Sequence, residues 1–471
     1  MKKYQQIAQE LEAAITKGVY CPGDKLPSIR RLADDLKVAK NTVIAALYQL
    51  ESKNLIEAQP KSGFTVCSVI HPNPPESPEF ETISPAIVQT PELLREIITK
   101  GAAFDIKPDE TPEPENRLIS KLYRLINKTM RKNSARNVSY YDEPEGAVVL
   151  REQIARHYSK VGVSLNRNQI AISGGCQHAL FMALMATCKP GDNVVIESPG
   201  FYGVIQLLDE LGLNAIEVPC HNISGIDVNT LQRVVSEYDV RACVVTPAFS
   251  TPTGACMPDE AKQTLALLAE EYDFAVIEDD IYGDLGFHFR PKPIKHFDNH
   301  ERVILCGSFS KSLSRELRVG WISGARWHNA ICRLKLVTLL ASNSSVQLAL
   351  AEFMASGDYQ RYLKQRVQQL EQNRNALLSY LQNQGPEEIQ YTSPIGGLCI
   401  WVKLPAQLDT VSLYHKALEQ GIVLAPGALF TSHNDFSNYL RLSFCHPLTE
   451  SRAQALKILM LLTEFGASVS V

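Results

Sequence analysis

Lys311 stands in Cys306-Gly307-Ser308-Phe309-Ser310-Lys311-Ser312-Leu313, among three serines and seven residues ahead of Arg318. The apolar run Val303-Ile304-Leu305-Cys306 before it reads as a buried strand. A lysine at a strand end that is desolvated loses its proton and becomes a nucleophile able to form a Schiff base. Hydroxyls and a guanidinium beside it suit a phosphate. A ligand with both an aldehyde and a phosphate, pyridoxal 5'-phosphate, fits that pair of demands. A plain loop lysine among small polar residues has the same local sequence, so the stretch alone does not decide.

Three further stretches bear on the choice. Ser173-Gly174-Gly175-Cys176-Gln177 lies between an apolar run and a helical pattern from His178. Glycines there let backbone N–H groups approach an anion at a helix start, although such a turn also serves simply as a tight connection. Glu197-Ser198-Pro199-Gly200-Phe201-Tyr202 places an aromatic ring, Phe201, where it either stacks on a flat heterocycle or covers a core edge. Val276-Ile277-Glu278-Asp279-Asp280-Ile281-Tyr282 ends an apolar run in three acids, costly if all are buried unpaired. A carboxylate facing a pyridinium nitrogen resolves one of them, with Asp279 for the ring nitrogen and Tyr282 for the ring hydroxyl. Helix capping by Asp279 or Asp280 is the structural alternative.

These residues need a scaffold. From about residue 168, short apolar runs alternate with longer helical patterns. The expected strands are Ile170–Ser173, Val194–Glu197, Ala215–Val218, Cys243–Thr246, Ala275–Glu278, Val303–Gly307 and Trp321–Ser323. Apolar on both faces, they predict a largely parallel α/β sheet covered by helices. Ligands of such sheets bind beyond the carboxyl ends of strands, where the residues above fall.

The first seventy residues differ. Tyr4, Ile7, Leu11 and Ile15 predict a helix over residues 3–17, and Ser28 caps a second that carries Leu32 and Ala33 inward. A third helix buries Val43, Ala46, Leu47 and Leu50, followed by two β segments around Pro60-Lys61-Ser62-Gly63. Such a module presents Lys40, Asn41 and Thr42 to base edges, with Arg30, Lys61, Ser62 and Gly63 at phosphates or a groove edge. A protein-packing module with solvated charges has the same outline. Ten Lys/Arg face seven Asp/Glu here, against 37 and 44 in the remainder, so a small basic part joins an acidic body.

Proline-rich residues after 70 predict a linker. The expected division is a winged helix-turn-helix DNA-binding domain over 1–70, a linker over 71–94 and a large α/β domain over 95–471. Eleven scattered cysteines, odd in number and without a C-x-x-C pair, argue for reduced thiols, a cytoplasmic location and no metal site. The eleven histidines form no ligand-spaced cluster in the chain. No apolar run approaches membrane-spanning length, and the N-terminus is no signal peptide.

The order Gly18-x-Tyr20-x-Pro22-Gly23-Asp24-Lys25-Leu26-Pro27-Ser28-x-Arg30-x-Leu32-Ala33, closing in Ser62-Gly63-Phe64-x-Val66, resembles the winged helix-turn-helix of GntR-type bacterial repressors. Residues 95–465 resemble the fold-type I aminotransferases, with Tyr141-x-x-Pro144-x-Gly146-x-x-x-Leu150-Arg151 as an early signature. That resemblance implies Lys311 as the Schiff-base lysine, with Ser308, Ser310, Arg318, Gly175, Cys176 and Gln177 around the phosphate. It implies Tyr141 reaching the phosphate of a partner subunit, Phe201 stacking, and Asp279 and Tyr282 on the ring. Arg441, in Tyr439-Leu440-Arg441-Leu442-Ser443-Phe444, matches the clamp for a substrate carboxylate. Two positions depart from the family: Thr251 replaces the usual ring-binding asparagine, and Ser314-Arg315-Glu316 replaces a small Pro-Gly element. Both halves together resemble the MocR subfamily of bacterial regulators. The implied function is a homodimeric, pyridoxal-phosphate-binding regulator of double-stranded DNA, sensing an amino-acid-like effector or the cofactor by Schiff-base exchange at Lys311. A working aminotransferase with an accessory N-terminal domain is the alternative.

Overall fold

The computed structural model describes residues 3–16, 19–20, 24–52, 55–59, 63–66, 74–78, 80, 83–89, 92–99, 105–107, 116–134, 143–433 and 435–468. The chain divides into two compact units, Met1–Pro72 and Asn73–Val471.

In the first unit, helices α1 (Lys3–Thr16), α2 (Ile29–Asp35) and α3 (Lys40–Ser52) precede strands β1 (Ile56–Gln59) and β2 (Gly63–Val66). Ser28 Oγ accepts the Arg31 N–H at 3.3 Å and starts α2, as its position predicts. Ile7, Ala8 and Leu11 from α1 meet Leu32 and Ala33 from α2 and Val43, Ala46, Leu47 and Leu50 from α3. β1 and β2 pair antiparallel, and the Leu26 N–H donates to the Phe64 carbonyl at 2.9 Å, tying the hairpin to the helices.

The strands of the second unit's main sheet are β3 (Ala86–Ile87), β4 (Ile170–Ser173), β5 (Asn193–Ser198), β6 (Asn214–His221), β7 (Gly225–Ile226), β8 (Val240–Val245), β9 (Ala275–Asp279), β10 (Val303–Ser308) and β11 (Gly320–Ser323). They lie in the order β3-β6-β5-β8-β9-β10-β11-β4, with β7 on β6. The pairs from β6 through β10 are parallel, while β11 runs antiparallel to both β10 and β4. All seven expected strands are present. Val194 and Ile196 face one core while Val195 faces another, the alternation that makes both faces read as apolar.

The helices are α4 (Glu92–Thr99), α5 (Arg117–Ser134), α6 (Val148–Ser159), α7 (Cys176–Thr187), α8 (Tyr202–Leu211), α9 (Val228–Glu237), α10 (Asp259–Glu271), α11 (His328–Thr338), α12 (Ser344–Ala355), α13 (Asp358–Gln384), α14 (Thr410–Leu418) and α15 (Glu450–Ser468). Residues of α7 and α8 share a core with one sheet face, and residues of α9 and α10 with the other. A second, antiparallel sheet lies outside the sequence expectations: β12 (Gln390–Tyr391), β13 (Cys399–Lys403), β14 (Ala425–Pro426) and β15 (Tyr439–Ser443), in the order β12-β13-β15-β14. Two of its strands, β12 and β14, have only two residues, too short for periodicity to reveal. None of the described helices is long and apolar enough to cross a membrane.

Candidate functional site

Lys311 follows β10 at the carboxyl edge of the main sheet. Its half-buried side chain points toward Tyr282, with Nζ 6.0 Å from the ring centroid. Burial, with help from the Arg315 and Arg441 cations and against Cys445 and Asp279, lowers its pKa to about 8. The amine is therefore largely available as a neutral nucleophile at mildly alkaline pH.

Asp279 ends the neighbouring parallel strand, in register with Cys306. It is buried, and its Oδ1 accepts from the Cys176 thiol at 3.1 Å and from the Ile281 N–H at 3.2 Å. Burial raises its pKa to about 6, against those two hydrogen bonds. A protonated ring nitrogen opposite would offset that cost. Asp279 starts no α-helix; residues 283–285 form only a short 3-10 turn, so the capping alternative fails.

The anion cradle is built by register. Gly320 pairs with Ser308 on one side and Ser173 on the other. A β-carbon there would lie 2.7 Å from the Gly175 carbonyl carbon and the Ser173 hydroxyl, so only glycine lets the Gly174-Gly175 turn close over the strand. Gly175 has φ of +105°, and a β-carbon on it would meet Arg318 Nη2 at 2.8 Å. Exposed Arg318 donates to the Gly174 carbonyl at 2.8 Å, orienting its fork beside that turn. α7 begins at Cys176, two residues earlier than its pattern suggests, so Cys176 and Gln177 sit in its first turn with N–H groups lacking intrahelical acceptors. Their side chains go elsewhere: the Cys176 thiol to Asp279, the Gln177 amide to the Gly203 carbonyl at 2.7 Å. Ser308 Oγ accepts the Ser310 N–H at 3.2 Å, and Ser310 Oγ is buried without a partner among the described residues.

Arg441 comes from β15 of the second sheet and is buried. It donates to Thr251 Oγ1 at 3.1 Å and lies over the Phe430 ring at 5.2 Å. Thr251, which stands where the family places a ring-binding asparagine, thus accepts from the arginine. Tyr282 is buried, and burial raises its phenol pKa well above normal. Phe201 is half-buried against the core, and its ring lies 4.8 Å from that of Tyr202.

Behind this face runs a polar network that the sequence reading missed. Ser312, next to Lys311, shares a 3.0 Å hydrogen bond with the Tyr359 hydroxyl. Tyr359 donates to Asp284 at 2.9 Å; Asp284 also holds His157 Nε2 at 2.8 Å and Arg290 Nε at 2.6 Å. Arg290 Nη2 reaches Asp280 Oδ2 at 2.6 Å, which also accepts from Tyr158 at 2.8 Å. Burial pushes the Asp284 pKa up, but His157 and Arg290 outweigh it and hold the carboxyl well below the usual range. The network thus joins the loop of Lys311 to the residue after Asp279. Its members run along the chain from His157 to Tyr359, and only the acid cluster Glu278-Asp279-Asp280 signalled it.

In the first unit Arg30, Lys40 and Asn41 are exposed, and Thr42 is half-buried at the start of α3. Gly63 is exposed with φ of +91°. Lys61, Ser62 and Tyr141 lie outside the described residues.

The two units define a winged helix-turn-helix and a fold-type I aminotransferase domain on one chain. Residues 3–66 match the bacterial regulatory proteins of the gntR family, and residues 114–459 match aminotransferase class I and II. The Escherichia coli K12 protein YjiR, described as an uncharacterized HTH-type transcriptional regulator, is 34% identical over 97% of this chain and 98% of its own. A kynurenine aminotransferase of Pyrococcus horikoshii, solved with PMP, is 28% identical with a TM-score of 0.72, covering 80% of this chain and 95% of its own. LysN of Thermus thermophilus, an α-aminoadipate aminotransferase complexed with N-(5'-phosphopyridoxyl)-L-leucine, is 25% identical with a TM-score of 0.72, covering 81% and 97%. The chain belongs to the MocR subfamily of GntR-type regulators, whose aminotransferase class I and II domain is fused to a DNA-binding winged helix.

The cofactor of this domain is pyridoxal 5'-phosphate, and the residues fit it: an unpartnered buried Ser310 hydroxyl, a glycine-lined cradle under Arg318, a buried carboxylate and a lysine of lowered pKa. When bound, it supplies an aldehyde that condenses reversibly with amines. Attachment requires neutral Lys311. Its folded pKa of about 8 lies below an unfolded value of about 10.4, so between the two the unfolded chain binds more protons. Lys311's contribution to stability therefore rises with pH across that window, and its penalty is complete below it. Attachment of added cofactor to the apoprotein should speed up with pH and level off above about 8. A midpoint near 10, read from the growth of visible absorbance, would contradict this environment.

Proposed function

We propose that the chain is a ligand-responsive transcription regulator in which an amino-acid-like effector replaces Lys311 on the cofactor and thereby changes DNA binding. The observation that carries this reading is a full cofactor constellation, Lys311, Asp279, Tyr282, Arg318 and Arg441, on a chain that begins with a winged helix. Lys311 holds the cofactor until an amine displaces it. Asp279 keeps a ring nitrogen charged, Tyr282 hydrogen-bonds the ring hydroxyl, and Arg318 with the first turn of α7 anchors the phosphate. Phe201 covers the ring, and Arg441 takes the carboxylate of the effector, which selects amino acids over simple amines. In the second copy of a homodimer, Tyr141 reaches the phosphate across the interface. Lys40, Asn41 and Thr42 read bases, while Arg30, Lys61, Ser62 and Gly63 hold backbone phosphates or a groove edge. The proposed domains are 1–70, a linker over 71–94, and 95–471, in a cytoplasmic protein.

The test is anisotropy titration of DNA upstream of the protein's own gene, at fixed stated salt, with cofactor and each amino acid in turn. At least one amino acid should shift the apparent Kd severalfold; an unchanged Kd with all of them and with cofactor removed would sink the sensing step. Lys40→Ala should weaken binding about tenfold, in keeping with about 1–3 kcal/mol for a specific base contact, and Arg30→Ala should weaken it across DNA sequences alike and reduce its salt dependence. A catalytic reading shares the same residues, and enzyme-like turnover of amino-acid and keto-acid pairs would favour it.

A further inference from the structure

His328 opens α11 and Cys332 follows one turn later, so both project from one helical face. The imidazole Nε2 and the thiol are 3.4 Å apart. Glu145, 183 residues earlier in sequence, meets them from the turn before α6, and the three ligand atoms lie within 4.8 Å of one another. Tetrahedral zinc bonds of about 2.0–2.3 Å place ligand atoms roughly 3.3–3.7 Å apart, so small side-chain shifts would close the set.

The Glu145 turn is held by its backbone. The Glu145 carbonyl accepts the Ile172 N–H of β4 at 2.8 Å, and the Gly146 N–H returns to the Glu143 carbonyl at 2.9 Å. His328 Nδ1 is buried without a hydrogen-bond partner among the described residues. All three residues are half-buried.

Chemistry favours a borderline ion. A carboxylate, an imidazole and a thiol suit Zn2+ or Co2+ far better than Mg2+ or Ca2+, which want oxygen alone. Binding replaces the S–H bond by a metal–sulfur bond and releases that proton to water. Thiolate and carboxylate then balance the two positive charges. Two cations act against the ion. Arg151 is already met by Glu143 at 2.9 Å and by the Gly146 and Arg167 carbonyls at 3.0 Å. Lys335 is fully buried, its Nζ lacks a partner among the described residues, and burial lowers its pKa to about 8.

We propose that Glu145, His328 and Cys332 form a binding site for a zinc-class divalent cation, separate from the cofactor site. Such an ion would clip the turn before α6 to α11. The far end of α11 touches the phosphate cradle, since Thr338 Oγ1 lies 2.9 Å from His178 Nε2 and His178 Nδ1 accepts the Gly174 N–H at 3.1 Å.

The test titrates chelator-treated, full-length protein with Co2+ and competes it with Zn2+. A near-ultraviolet sulfur-to-cobalt band should saturate at one ion per chain and disappear on Zn2+ addition. Cys332→Ser should abolish the band, and His328→Ala and Glu145→Gln should each weaken binding about tenfold or more. Lys335→Met, which removes a competing charge at similar volume, should tighten it. Far-ultraviolet dichroism and visible cofactor absorbance show that each variant is folded. A wild-type protein without the band, or a folded Cys332→Ser variant that keeps it, would overturn the site. Neither result bears on pyridoxal phosphate or DNA.

Discussion

Lys311→Ala should leave the purified protein without the visible absorbance of a covalently held cofactor, an all-or-none change rather than a graded one. Borohydride, which fixes the cofactor to the wild-type chain, should add no cofactor mass to any peptide of the variant. The reason is position. The deeply buried lysines among the described residues, Lys262 and Lys335, sit inside α10 and α11 rather than at a strand end. Half-buried Lys311 instead follows β10 beside Asp279 and Tyr282, with its pKa lowered to about 8. The winged helix has its own core, so DNA should still be bound, but amino acids should no longer change the affinity. A variant that retained reducible cofactor on another lysine would show that Lys311 is not the attachment point.

Arg290→Ala should be the most damaging single change to the stability of the large unit. Arg290 serves two carboxylates at 2.6 Å, Asp280 and Asp284, whose side chains are 1% and 8% exposed. Removing one partner of a buried ion pair costs about 3–5 kcal/mol, because the remaining charge stays desolvated. The sign of its pH dependence follows. Without the guanidinium, Asp284 loses one of the two cations that hold its carboxyl below the usual range, so the stability which that depressed pKa contributes above the unfolded value of about 3.9 is reduced. The deficit should therefore be full at about pH 6 and shrink as pH falls toward about 4. Urea unfolding followed by the cofactor signal at the two ends of that range measures it. A loss below about 1 kcal/mol, or one independent of pH, would mean that the network does not depend on Arg290. Arg290→Lys should recover only part, since an ammonium cannot span both acids as the fork does.

Sequence patterns revealed features whose cause is local. β4, β5, β9 and β10 are apolar on both faces and end in polar residues, so their runs and their carboxyl ends can be read directly. Ser28 caps α2 as its position requires, and Lys311, Asp279 and Tyr282 meet as strand-end residues of neighbouring strands. What escaped was made by distant pairs. Arg441 could be matched by resemblance, but its place opposite Thr251 depends on a sheet whose shortest strands have two residues. Cys176 was read from its place beside the glycine turn, and that its thiol serves Asp279 was not legible; the start of α7 two residues earlier turns that side chain inward. Tyr158, His157, Asp284, Arg290 and Tyr359 carry no shared motif, since no sequence spacing encodes a contact across such gaps. His328 and Cys332, four residues apart on one helical face, did share a spacing, which the expectation of no ligand-spaced histidine and no metal site passed over; Glu145 was beyond the reach of any pattern.

The hydrogen bond between Arg441 and Thr251 has a consequence for affinity. Free arginine side chains roam among many rotamers, and a ligand that immobilises one forfeits about 0.5–1.5 kcal/mol. Here a hydroxyl from the turn between β8 and α10 already fixes the guanidinium of the second sheet. On the proposed reading, an incoming carboxylate meets a receptor whose entropy was lost during folding. That is worth roughly two- to tenfold in Kd, and Thr251→Val, which keeps the shape but not the hydroxyl, is the substitution that would return the cost to the ligand.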